Sequence, residues 1–79
     1  MDNAFDTGKI DRAVLALLYL TLHDGDQAWK GHDWGALDRL HEKGLISNPA
    51  SKAKSVVLTA QGLAESERLF HEMFGKSGR

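Results

Sequence analysis

Four histidines, His23, His32, His41 and His71, and the carboxylates Asp24, Asp33 and Glu67 are the residues of this chain that could ligate a metal or move a proton. Glu67 and His71 stand one helical turn apart, close enough to share an ion if a helix carries both. No His-Glu-x-x-His or comparable ligand spacing occurs, and scattered histidines are ordinarily solvated surface residues. Neither a metal nor a cofactor is expected. Nucleophilic catalysis has no better footing, because Ser47, Ser51, Ser55, Ser66 and Ser77 lack a recognisable base partner. Gly31, Gly35 and Gly44 do not form a phosphate loop and are better explained as turn and cap residues. The chain is therefore not expected to be an enzyme.

Cations are the second source of chemistry. Lys52 and Lys54, flanked by Ser51 and Ser55, fall in a polar stretch that could meet phosphates or a small anion, and Arg39 and Lys43 fall on a helix face exposed to solvent. Against this, Asp33, Asp38 and Glu42 share that helix. The whole chain has ten basic and eleven acidic side chains, a net charge of −1, so any nucleic-acid contact must rest on a local patch. For the two lysines alone, a solvated loop tip is preferred to an anion site.

The elements that would position these groups follow from periodicity. The chain of 79 residues is 42 % hydrophobic and 27 % charged, the composition of one ordinary globular domain, here spanning 1–79 with loose ends about 1–6 and 75–79. With no cysteine, stability must come from packing, shared within the chain or with a second copy. Ile10, Val14, Leu17, Leu18 and Thr21 repeat at three- and four-residue steps and predict a helix over about 9–23, capped by Asp6 or Thr7, with Asp11 complementing its dipole. Phe5 could fold back as an anchor. The apolar run 13–22 is about half the ~20 residues that span a bilayer, so it reads as a buried helix. The start, MDNAFDTGK, lacks the basic lead of an export signal, and a cytoplasmic location is expected.

Residues 24–32, DGDQAWKGH, read as a loop with at most one helical turn around 27–30, bracketed by Trp29 and Trp34, whose rings would pin it to the body. Asp33 caps a second helix over 33–43, with Trp34, Leu37 and Leu40 inside and Gly44 as a left-handed stop. Leu45 and Ile46 start a short strand, the turn SNPASKAK follows, and SVVLT returns, making a two-stranded hairpin. Thr59 caps a last helix with Leu63, Phe70, Met73 and Phe74 along one stripe. The fold class is mainly α with a small β-hairpin, an α+β domain of winged-helix-like order: helix, short loop or turn, helix, β-hairpin wing, helix.

The pattern Leu40-x-x-Lys43-Gly44-Leu45-Ile46, followed by Val57-Leu58-Thr59-x-x-Gly62, resembles the helix, wing and closing helix of winged-helix regulators of the MarR and PadR types. More closely, AVLALLYLTLHDG, AWKGHDW, LDRLHEKGLI and KAKSVVLT resemble a family of short bacterial proteins catalogued as a domain of unknown function. This resemblance implies the fold and a bacterial setting and brings no site residues to transfer.

Two functional expectations result. A protein-interaction or regulatory module that kept the winged-helix body is favoured, because Leu15, Tyr19 and Leu22 form a second apolar stripe on the first helix. That stripe needs cover, either from the C-terminal helix of the same chain or from a partner protein or second copy in a homodimer. The alternative is a DNA-binding transcriptional regulator using helix 33–43 and the wing 47–55, with Arg39, Lys43, Lys52 and Lys54 as its contacts. No membrane and no small-molecule substrate is indicated.

Overall fold

Asp6 begins the fold as a helix cap. In the computed structural model, which describes residues 5–76, its carboxylate accepts from the Lys9 amide at 3.1 Å, while its carbonyl accepts from Ile10 at 3.1 Å. Helix α1 runs Thr7–Leu20, beginning two residues before and ending three residues short of the helix over about 9–23 that the sequence predicts. Thr21 closes it through its amide and hydroxyl on the Leu18 carbonyl, and the chain leaves as a strand. Residues 1–4 and 77–79 lie outside the described residues, and with them part of the ends expected to be loose, and Ser77.

The segment 24–32, expected to be a loop, carries the turn and second strand of a hairpin whose first strand takes the last residues expected in the first helix. Strand β1, Leu22–His23, pairs antiparallel with β2, Gln27–Trp29, in the register Leu22 opposite Ala28 and His23 opposite Gln27. Asp24 (φ 53°) and Gly25 (φ 89°) turn the chain between them; the left-handed region is cheap for Gly and tolerable for Asp, so an Asp-Gly pair favours such a turn.

Asp33 then caps α2, Trp34–Glu42, with its carboxylate 3.0 Å from the Ala36 amide. Gly44 at φ 77° ends it, both as expected. The returning strand β3, Ser55–Val57, pairs with β2 rather than with residues 45–46, giving an antiparallel sheet in the order β1-β2-β3. The expected wing strand is reduced to one bridge, Ile46 to Leu58, beside the bond from the Ser47 amide to the Val57 carbonyl. Asn48 and Pro49 explain the shortfall: the Asn48 side chain accepts from the Ala50 amide at 2.9 Å in a local turn, and proline has no amide to continue a ladder.

Helix α3, Ala60–Phe74, starts at Thr59 as the sequence predicts. The Thr59 hydroxyl donates to the Gly44 carbonyl at 2.8 Å and accepts the Gly62 amide at 3.0 Å, so one side chain joins the end of α2 to the start of α3. Gly62 is packed so closely that a Cβ there would run into the Leu45 carbonyl oxygen. The buried line of α3 is Gly62, Ser66 and Leu69, flanked by partly buried Leu63 and Phe70. Met73 and Phe74, expected on the buried stripe, are outside it and exposed.

The core lies where α1 crosses α2 and α3, with Leu15, Leu18, Leu37, Leu40 and Leu69 meeting Ala28, Ile46, Val56 and Leu58 from the β side. The mainly helical α+β class expected from the sequence is the observed one. The molecule is a plate, 41 × 38 × 19 Å, and no helix of the described residues is long and apolar enough to cross a membrane.

Candidate functional site

Asp11 is the carboxylate around which the helix-face cations are arranged. It sits in the middle of α1, is 2 % exposed, and accepts two bonds from Arg39 of α2, Nε to Oδ2 at 2.7 Å and the second guanidinium nitrogen to Oδ1 at 2.8 Å. Lys43 approaches the same carboxylate at 3.8 Å. A buried carboxylate left unpaired is costly, and a bidentate guanidinium is the geometry that satisfies it. The hydrogen bond to Asp11 and its negative charge, with smaller contributions from Asp33 and Glu42, raise the Arg39 pKa above its usual value, partly opposed by burial. Asp11 thus serves as an interhelix clamp rather than as the dipole partner expected from its sequence position. The two cations expected to contact DNA from α2 are instead turned to this carboxylate, while Asp38 and Glu42 stay exposed on the helix. A cavity of about 180 Å³ opens beside the clamp, floored by Leu15, Leu40, Leu45 and Leu69 and rimmed by Asp11, Arg12, Glu65 and Lys43, the last at the C-terminal cap of α2.

Lys52 and Lys54 are exposed on the loop between α2 and β3. A cation that the sequence did not single out, Lys30, holds that loop to the sheet. Its Nζ donates to the carbonyls of Pro49 at 2.8 Å and Ser51 at 2.6 Å, and its amide donates to the Lys54 carbonyl at 3.2 Å. The same Nζ stands 5.8 Å from the centre of the Trp34 ring.

The apolar stripe of α1 is covered within the chain. Leu15 is 2 % exposed, Leu22 packs on the core, and Tyr19 meets Phe70 of α3 at 5.3 Å between ring centres and His71 at 6.1 Å. Leu15, Tyr19 and Leu22 therefore do not form an open patch; α3 supplies the cover, the first of the two alternatives. The apolar surface left over lies one step further on. Phe74 continues the ladder from Phe70 at 5.5 Å and is half exposed, and Leu20 and Met73 are exposed at the same helix ends. Phe5, expected as an anchor, is largely exposed.

Trp29 and Trp34, expected to pin the loop to the body, are both more than half exposed, at 53 % and 54 %. Strand alternation explains Trp29: Leu22, Ala28 and Val56 point to the core, and His23, Gln27, Trp29, Ser55 and Val57 share the outward face. His23 stacks on Trp29 at 4.5 Å with 27° between ring planes.

Among the serines, Ser55 has a base partner in the fold that was invisible in the sequence. His23 Nε2 is 3.1 Å from Ser55 Oγ, and Nδ1 is 3.1 Å from Asp24 Oδ2. A carboxylate only accepts, so Nδ1 carries the proton, and in the neutral ring Nε2 accepts from the serine hydroxyl. The order of groups is that of a nucleophile, base and orienting acid, and none of the three lines the cavity beside the Asp11 clamp. Here the relay has a visible structural result: it locks the His23 ring under Trp29. The remaining histidines are separate, His41 bonded to the Ile46 carbonyl and His71 against Tyr19, and among the described residues no group of three or more His, Asp or Glu side chains could hold a metal ion.

These features define a small, mainly helical α+β domain with a buried charge clamp and two exposed aromatic surfaces. The chain belongs to the family described as domain of unknown function DUF6429, which it matches over residues 6–76. It is similar to the uncharacterized protein y4hR of Sinorhizobium fredii, 61 % identical over 69 residues that cover 87 % of this chain and 93 % of that protein. No solved structure matches the chain.

Proposed function

We propose that the protein is a non-catalytic interaction module of the bacterial cytoplasm that self-associates through the C-terminal ends of α1 and α3. The observation that carries this reading is the aromatic ladder Tyr19, Phe70, Phe74, which starts against the core and ends half exposed at Phe74, with Leu20 and Met73 exposed at the C-terminal ends of α1 and α3. Large apolar side chains gathered at one edge of so thin a domain gain most from a self-complementary contact about a two-fold axis. Duplex DNA recognition by α2 has less support, because Arg39 and Lys43 face Asp11 and the exposed charges that remain on that helix include Asp38 and Glu42.

Sedimentation equilibrium over a wide concentration range tests the proposal. A dimer mass at micromolar concentration, shifted to monomer by Phe74→Glu with unchanged helical circular dichroism, is the expected result. A monomer mass up to high micromolar concentration overturns it.

A further inference from the structure

Both tryptophans of the chain are left more than half uncovered. Indoles are normally among the most buried surfaces of a small domain, so two that are more than half exposed call for an occupant. Trp29 stands on the middle strand of the sheet, clamped by the stacked His23 ring, which Asp24 and Ser55 hold at its two nitrogens. Trp34, at the first turn of α2, lies beneath the Lys30 ammonium.

The lysines around these rings carry unpaired charge. Lys30 is bound only to neutral carbonyls, so its positive charge is oriented without being cancelled, and its bonds tie the loop carrying Lys52 and Lys54 to the strand bearing Trp29. None of these three lysines makes an ion pair among the described residues, whose salt bridges involve other cations. Of the carboxylates on the same segment, Asp24 accepts from His23, Asp33 caps α2 at the Ala36 amide and Asp26 lies between β1 and β2; none of them pairs with these lysines among the described residues. Exposed planar rings interleaved with unpaired cations are what successive unpaired bases and their phosphates require. A duplex, whose bases are already stacked on each other, offers only its phosphates to such a surface.

We propose that the outward face of the sheet and the adjoining loop bind single-stranded nucleic acid, with bases stacking on Trp29 and Trp34 and phosphates meeting Lys30, Lys52 and Lys54. This goes beyond self-association and uses different residues. Stacking and phosphate contacts carry little sequence information, so sequence preference is low. With three phosphates neutralised, the slope of log K against log salt is about −2.

Because Trp29 and Trp34 are the two tryptophans of the chain, intrinsic fluorescence reports on this surface alone. Titration with oligo-dT and oligo-rU at low salt is expected to quench it saturably, with a duplex of equal length binding more weakly; the two oligonucleotides show whether DNA or RNA is preferred. Trp29→Ala should weaken binding by about tenfold or more, and the loop variant Lys52→Glu/Lys54→Glu, which touches no buried residue, should weaken it further and flatten the salt slope. Phe74→Glu should leave binding intact, which separates this test from that of self-association. Absence of quenching by either oligonucleotide overturns the proposal, as does quenching by an acidic peptide such as poly-glutamate that equals or exceeds that of the oligonucleotides. An unchanged affinity in the double lysine variant also overturns it.

Discussion

At the residue scale, the side chains with the largest structural consequence join elements distant in sequence. Thr59 both donates to Gly44 and accepts from Gly62, so Thr59→Ala removes a cap and an interelement bond together and should cost about 1–2 kcal/mol of stability in urea denaturation. Two glycines in the same region differ in kind. Gly44→Ala meets open space and pays only for a positive φ, about 1 kcal/mol. Gly62→Ala drives a methyl into the Leu45 carbonyl and should cost more, about 2–3 kcal/mol, because backbone on both sides must move. Equal midpoints for the two variants would contradict that ordering. The Asp11–Arg39 clamp gives a double-mutant test. Arg39→Met leaves a buried carboxylate facing only Lys43 at 3.8 Å, and the urea midpoint should fall. Asp11→Leu/Arg39→Met should recover most of the loss, since apolar groups of similar volume replace such pairs with little penalty.

At the element scale, the β1–β2 hairpin depends on its turn. Gly25 has φ 89° with no heavy atom near a prospective Cβ, so Gly25→Val adds backbone strain of about 1–2 kcal/mol without a clash. Its effect should be local: faster amide exchange in β1 and β2, with the buried amides of α1 and α3 changed much less. What was legible in the sequence follows the same division between local and distant causes. The caps at Asp33 and Thr59, the stop at Gly44 and all three helices depend on neighbours within a turn, and periodicity reveals them. The hairpin was missed because strands of two and three residues are too short to show alternation, although Asp24-Gly25 was a usable turn signal. The α3 stripe was misplaced by a small residue. Ser66 is fully buried because its hydroxyl bonds back to the Leu63 carbonyl at 3.0 Å, a satisfaction that residue type alone does not announce. For the candidate site, the loop lysines could be read directly. The partners of Arg39, 28 positions away in the chain, and of Ser55, 32 away, exist only after folding.

At the scale of the whole molecule, thickness is the governing quantity. A plate 19 Å deep is little more than two packed layers of secondary structure, so few side chains are buried from every side and much apolar surface stays at the edges. The charge clamp and the capping network fix the relative placement of the helices but add no apolar burial. Association through Leu20, Met73 and Phe74 would supply it, and would make stability depend on concentration. If the native state is a dimer that unfolds to two free chains, each tenfold rise in protein concentration stabilises it by about 1.4 kcal/mol of dimer. The thermal midpoint should therefore climb steadily with concentration. Phe74→Glu should abolish that dependence while leaving the midpoint close to that of the wild type at the lowest concentration, because Phe74 is half exposed within a single chain. A wild-type midpoint independent of concentration would mean that the aromatic ladder ends in solvent and that the domain's stability is complete in one copy.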